Sequence, residues 1–135
     1  MNLDEMISDE GAVLELNDPD GKPLYYDGKR VTITLDGTNS ERFQKAKYKI
    51  GNKRLKSNPN PAAYKSLSDA DDDEAELLAA ITLSWENVAF ENGIKECTFE
   101  NAKRLYLNPK TEWVKRQVNE FAGDVKNFMT ASSSS

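Results

Sequence analysis

The chain has 135 residues, 38% of them apolar and 30% charged, with a formal net charge of −5, one cysteine and no histidine. A chain of this length fits a single domain and removes roughly two-thirds of its unfolded surface from water on folding, so a modest core is available. Without imidazole, the usual triads, dyads and zinc sites are out of reach, and the acidic balance argues against a chain-wide nucleic-acid binder.

The opening MNLDEMISDEGA is acidic where a secretory signal is basic and then apolar, and no apolar run is long enough to cross a bilayer. A cytoplasmic protein without a membrane segment is expected. Ala12, Leu14 and Leu16 alternate as a strand requires, and Asp18-Pro19-Asp20-Gly21 then supplies turn chemistry. Leu24-Tyr25-Tyr26 leads to a second reversal at Asp27-Gly28, followed by Val31-Thr32-Ile33-Thr34-Leu35 in strict alternation. These residues predict an antiparallel hairpin or meander over 12–36, whose Val31, Ile33 and Leu35 face must be covered by something else.

Thr38 and Glu41 have capping-box spacing, and Phe43, Ala46 and Ile50 follow at helical intervals before Gly51 interrupts, which predicts a helix over 38–56. Arg42, Lys45, Lys49, Lys53 and Arg54 make this segment a local basic patch, with Lys47 and Lys56 adding to it and Tyr48 placed to stack on a base. A solvated helix face explains the same residues without a ligand. Ser57-Asn58-Pro59-Asn60-Pro61 breaks the helix, and a mobile loop is expected over 57–72. The acidic run Asp69, Asp71, Asp72, Asp73 and Glu74 suits the N-terminal end of a second helix. It lacks the glycine and terminal glutamate of a calcium loop, so no metal and no cofactor is expected.

From about Asp73 to Phe90, Leu77, Leu78, Ile81, Trp85, Val88 and Ala89 form one apolar stripe, which predicts a long helix closed by Asn92-Gly93. Cys97 has no activating neighbour of the usual kind and reads as a small half-buried hydrophobe. Thr98 can cap a short helix through Ala102, Leu105 and Tyr106, and Asn108-Pro109 opens the last one, with Glu112 in its first turn. Val114, Val118, Phe121, Val125 and Phe128 step along this last helix as a packing seam. Val118, Phe121 and Val125 are expected to face the core. Trp113, Arg116 and Glu120 are expected to remain accessible as a partner-binding face, although Trp113 in the core is the alternative.

The expected fold is therefore α+β: an N-terminal antiparallel hairpin or meander followed by a mainly helical bundle over 73–129, in one domain spanning 1–130. Residues 131–135 are expected to be a flexible serine tail. No residues suggest catalysis, and the chain reads as a binding protein rather than an enzyme. Seams on short helices seldom hide all their apolar surface, so self-association into a homo-oligomer is expected.

The run Asp18-Pro19-Asp20-Gly21-Lys22-Pro23-Leu24, then Val31-Thr32-Ile33-Thr34-Leu35-Asp36-Gly37-Thr38-Asn39-Ser40, is followed by Trp85-Glu86-Asn87, Gly93, Thr98-Phe99-Glu100-Asn101-Ala102, Phe121-Ala122 and Asn127-Phe128. In this layout, which spans most of the chain, the sequence resembles the tail assembly chaperones of long-tailed, siphovirus-type bacteriophages. The resemblance implies a host-cytoplasmic protein, absent from the mature virion, that binds the tape measure protein and keeps it soluble during tail morphogenesis. It also implies a longer frameshifted form whose added domain recruits the tail tube protein, with this chain as the short form. The other readings are a nucleic-acid-binding accessory protein using segment 42–56 and a small connector of the virion.

Overall fold

A computed structural model describes residues 3–7, 10–57 and 67–129 of the chain. Its centre is a three-stranded antiparallel sheet made of β1 (Ala12–Glu15), β4 (Thr32–Leu35) and β5 (Thr82–Glu86), in the order β1-β4-β5. Two short hairpins accompany it: β2 (Tyr25–Tyr26) with β3 (Lys29–Arg30), and β6 (Ala89–Phe90) with β7 (Gly93–Ile94). Four helices complete the mixed α/β fold, namely α1 (Glu41–Ser57), α2 (Leu67–Ala80), α3 (Phe99–Leu107) and α4 (Glu112–Ala122).

The N-terminal strands follow the local chemistry. Ala12 pairs with Leu35 and Leu14 with Ile33, so the alternating apolar residues of both strands fall on one side of the sheet. The Asp18 carboxylate accepts the N–H groups of Asp20 and Lys22, both at 2.9 Å, and fixes the first reversal. At the second reversal Asp27 and Gly28 both take positive φ, 53° and 77°, as a tight two-residue hairpin demands.

The long helix expected from Asp73 to Phe90 is the main correction. α2 begins at Leu67 and stops at Ala80, and Thr82–Glu86 is the strand β5, with Trp85 in register with Ile33. The Thr82 hydroxyl donates to the Leu78 carbonyl at 2.7 Å and satisfies the last turn of α2. Beyond it, Thr82 and Trp85 are good strand formers that pair with β4, Leu83 falling at a register shift, and this pairing outweighs a helical period that Ile81, Trp85 and Val88 also satisfy. Asn92-Gly93 then closes a hairpin, with Glu91 at φ 61° and Gly93 at φ 135°, rather than a helix. Residues 73–129 thus mix helix and strand.

Smaller differences have local causes. The N-cap of α1 is Ser40, whose hydroxyl accepts from Phe43 N at 3.1 Å. Thr38, the expected cap, instead donates its N–H to the Ala122 carbonyl. Gly51 sits in open space within α1, which continues to Ser57. Residues 67–72, expected to be loop, form the start of α2, while 58–66 and the serine tail 131–135 lie outside the described residues. At the other end, α4 closes at Ala122, and Val125–Phe128 forms a separate 3-10 turn capped by Asp124. Val125, expected in the core, is 46% exposed as a result.

The acidic residues of α2 tie the helices together. Lys103 of α3 reaches Asp72 at 3.3 Å and Glu76 at 3.5 Å, Lys53 of α1 shares Glu76, and Lys115 of α4 meets Glu74 at 2.7 Å. Partial burial disfavours the Lys103 ammonium, but the two carboxylates outweigh this and hold its pKa above the ordinary lysine value. Below them, the Tyr106 phenol is buried and shares a 2.8 Å hydrogen bond with the Thr82 hydroxyl. Burial pushes its pKa well above 10, more than the Thr82 hydrogen bond lowers it.

Both groups therefore hold their protons more tightly when folded than when unfolded. Their contributions are complete below about pH 10 and are lost as pH rises through the raised folded-state values. Urea midpoints measured from about pH 8 to about pH 11 are expected to fall steeply only in the upper part of that range. Tyr106→Phe is expected to flatten the fall. A midpoint that rises or stays level above pH 10 would contradict the assignment.

Candidate functional site

Beside the sheet, between the first hairpin arm and the last two helices, lies an apolar cleft of about 150 Å³. Leu16, Val31 and Val88 supply buried lining, Leu105, Trp113 and Val114 form the helical wall, and Tyr25 and Tyr26 form the opposite lip. A volume of this order, lined mainly by aliphatic and aromatic groups and open to solvent on one side, has room for one benzene-sized apolar group.

The arm is held in place by backbone and amide hydrogen bonds. Leu24 N donates to Leu16 O at 3.0 Å, and Val31 N donates to Leu24 O at 3.1 Å, so the arm folds back over the end of β1. Asn17 and Gln117, 100 residues apart, form a two-way clasp: Asn17 N donates to Gln117 Oε1 at 2.9 Å, and Gln117 Nε2 donates to Asn17 O at 2.8 Å. At another edge Asn87 Nδ2 donates to the Arg30 carbonyl at 2.9 Å. Tyr25 and Tyr26 stay 59% and 41% exposed on this anchored arm. Exposed aromatic rings on a fixed backbone lose little conformational entropy when a partner covers them.

Trp113 is half-buried, packs against the core cluster and donates Nε1 to the Lys110 carbonyl at 3.2 Å. It is thus both wall and support, between the two alternatives its sequence position allows. Val114, Val118 and Ala122 form the buried face of α4. Trp113, Arg116, Gln117 and Glu120 occupy a neighbouring stripe at three- and four-residue steps. Arg116 and Glu120 are exposed and do not line the cleft, and Arg116 is paired with Glu112 at 3.4 Å. The sequence reading found Trp113 but not Tyr25, Tyr26 or Arg30. Two adjacent tyrosines entering a tight turn were the available signal.

The basic patch is partly engaged within the fold. Arg42 is bound to Asp36 at 2.8 Å and Lys53 to Glu76 at 3.5 Å. Lys45 and Lys49 are exposed on the same side of α1, next to Tyr48, which is 72% exposed. Arg54 belongs to α1, and its side chain lies outside the described residues. Cys97 is half-buried against the core, and burial raises its thiol pKa, so the unreactive protonated form is favoured. Among the described residues no three His, Cys, Asp or Glu side chains gather as a metal site, and no helix is long and apolar enough to cross a membrane.

No family model, curated protein or solved structure matches the chain. Its function must therefore be argued from the cleft and from the pattern of its own residues.

A second hollow, of about 540 Å³, lies between α2 and the start of α4, lined by Asp71, Tyr106, Leu107, Asn108, Pro109, Glu112 and Lys115. Its rim is polar, and Lys115 is already held by Glu74. The first cleft is the better site, because it joins apolar depth to exposed aromatic rings.

Proposed function

We propose that the chain is a non-enzymatic tail assembly chaperone, binding the tape measure protein through the Trp113 cleft and keeping it soluble while a phage tail is built. The observation that carries this reading is the cleft itself, with Trp113, Tyr25 and Tyr26 around space for one apolar side chain. Tryptophan, tyrosine and arginine dominate binding hot spots, and a long apolar helical partner offers side chains of the matching kind. The resemblance of the sequence to tail assembly chaperones supplies the identity of that partner. On this reading the protein acts in the host cytoplasm, self-associates, and is absent from the mature virion. A longer frameshifted form would recruit the tail tube protein.

The nucleic-acid reading is weaker, since Arg42 and Lys53 are already paired with carboxylates. A virion connector would remain in purified particles, whereas a chaperone would not.

The test is co-expression with the tape measure protein of the same genome, measuring how much of that partner stays soluble. Trp113→Ala is expected to weaken association by about 2 kcal/mol, as for an interface hot spot. Because Trp113 also packs on the core, its melting temperature should fall as well, though by less than a fully buried tryptophan would cause. Failure of the wild-type chain to bind or solubilise the partner removes the reading.

A further inference from the structure

The geometry points to Arg30 as a specificity-determining residue: the cleft selects a segment in which a large apolar side chain is flanked by an Asp or Glu. This rests on the cleft being the partner-binding site. The apolar group fills the space between Tyr25, Tyr26 and Trp113, and the carboxylate meets the Arg30 guanidinium.

Among the described arginine side chains, Arg42 is paired with Asp36, Arg104 with Glu91 and Arg116 with Glu112. Arg30 alone has no carboxylate. It is half-buried, and its guanidinium carbon sits 5.7 Å from the centre of the Tyr25 ring, on the lip of the cleft. Nη2 donates only to neutral acceptors, the Leu16 carbonyl at 3.0 Å and Asn17 Oδ1 at 3.5 Å, and Nε is buried with no acceptor at all. Nη1 has no partner among the described residues.

A partly desolvated cation is costly unless an anion is close, and with Nε buried and Nη2 engaged, Nη1 is the donor left for a charge-assisted hydrogen bond to an incoming carboxylate. Three of its immediate neighbours, Leu16, Tyr25 and Asn87, line the cleft, so an anion that reaches Arg30 arrives with whatever fills that space. A purely apolar segment would cover Arg30 and leave it unpaired. The charge at the lip therefore discriminates among apolar partners, while the cleft supplies the contact area.

The experiment is selection of a random-peptide library on the wild-type chain, which does not depend on who the natural partner is. Selected peptides are expected to carry an acidic residue within one helical turn of a Trp, Phe, Leu or Met. Changing that Asp to Asn, or Glu to Gln, should weaken binding about tenfold or more to wild type, and hardly at all to Arg30→Gln. The peptide substitutions need no variant of the chain, so the result stands even if Arg30→Gln folds poorly. No binders, binders without an acidic preference, or binding indifferent to the acidic group would each overturn the inference. So would a Trp113 fluorescence change driven by concentration of the chain alone, which would make a second copy the occupant. Overlapping peptides of the tape measure protein form a separate arm. If they fail while acidic apolar library peptides bind through Arg30, the chaperone reading falls and the cleft specificity stands.

Discussion

Trp85→Ala is expected to lower the unfolding free energy by about 3–5 kcal/mol, as the loss of a buried aromatic side chain does elsewhere. Trp85 is 9% exposed, lies in β5 opposite Ile33, and meets Phe90 edge to face with ring centres 6.3 Å apart. Its Nε1 donates to the Lys95 carbonyl at 2.8 Å and so ties the strand to the segment after the β6–β7 hairpin. Alanine removes the packing and that donor together. Trp85→Phe keeps an aromatic ring but removes the pyrrole part of the indole together with its hydrogen bond, for an intermediate expected cost of about 1–3 kcal/mol. Urea denaturation of the three proteins gives the comparison, and a near-neutral Trp85→Ala would contradict the place of Trp85 in the core.

Trp85 also marks the boundary between what can be read locally and what cannot. The strands over 12–35 were legible because their determinants are adjacent: alternation in Val31 to Leu35, an aspartate turn at Asp18, and a two-residue reversal at Asp27-Gly28. The start of α3 was legible for the same reason, since Thr98 accepts from Asn101 N at 3.1 Å, three residues on. Asn108 accepts from Lys110 N at 3.0 Å, but it caps a 3-10 turn over Pro109–Thr111, and α4 itself begins at Glu112 behind Thr111, which makes no side-chain cap. β5 is different. Ile81, Trp85 and Val88 fit a helical stripe, and all three are buried, yet Trp85 lies in a strand in register with Ile33 of β4, far back in the chain, and Ile81 and Val88 flank that strand. A local period cannot register a free strand edge about fifty residues away.

The cleft shows the same division. Trp113 was visible as an aromatic residue next to the seam of α4. The lip that faces it comes from a hairpin whose turn signal, Asp27-Gly28, is local, while nothing in the neighbourhood of Tyr25 and Tyr26 marks them as lining a cleft. What joins the two is the Asn17–Gln117 clasp, two polar residues 100 positions apart with no signature in either neighbourhood. Arg30 had no reason to stand out among the basic residues until the ion pairs of the other described arginines were known. Side-chain pairing across the fold, rather than composition, distinguishes it.

The end of the chain offers a sharper test of how the packing seam terminates. Phe128→Ala is expected to cost about 3–5 kcal/mol, while Val125→Ala should change stability by about 0.5 kcal/mol or less. On a continuous helix the two residues would extend the Val114, Val118 and Phe121 stripe, and both substitutions would be costly. The chain instead leaves helix at Ala122. Asp124 accepts from Lys126 N at 3.1 Å, and the Asn127 amide donates to the Phe121 carbonyl at 3.0 Å, which sets the 3-10 turn against the end of α4. That turn leaves Val125 46% exposed and Phe128 only 1% exposed. The Phe128 ring lies 5.7 Å from that of Phe121 and also packs against Gly37, where an added Cβ would approach its ring to 3.3 Å. Phe128 therefore closes the core between the end of the sheet and the last helix. Equal costs at the two positions in chemical denaturation would mean that the seam continues as helix, and a neutral Phe128→Ala would mean that the final turn contributes nothing to the core.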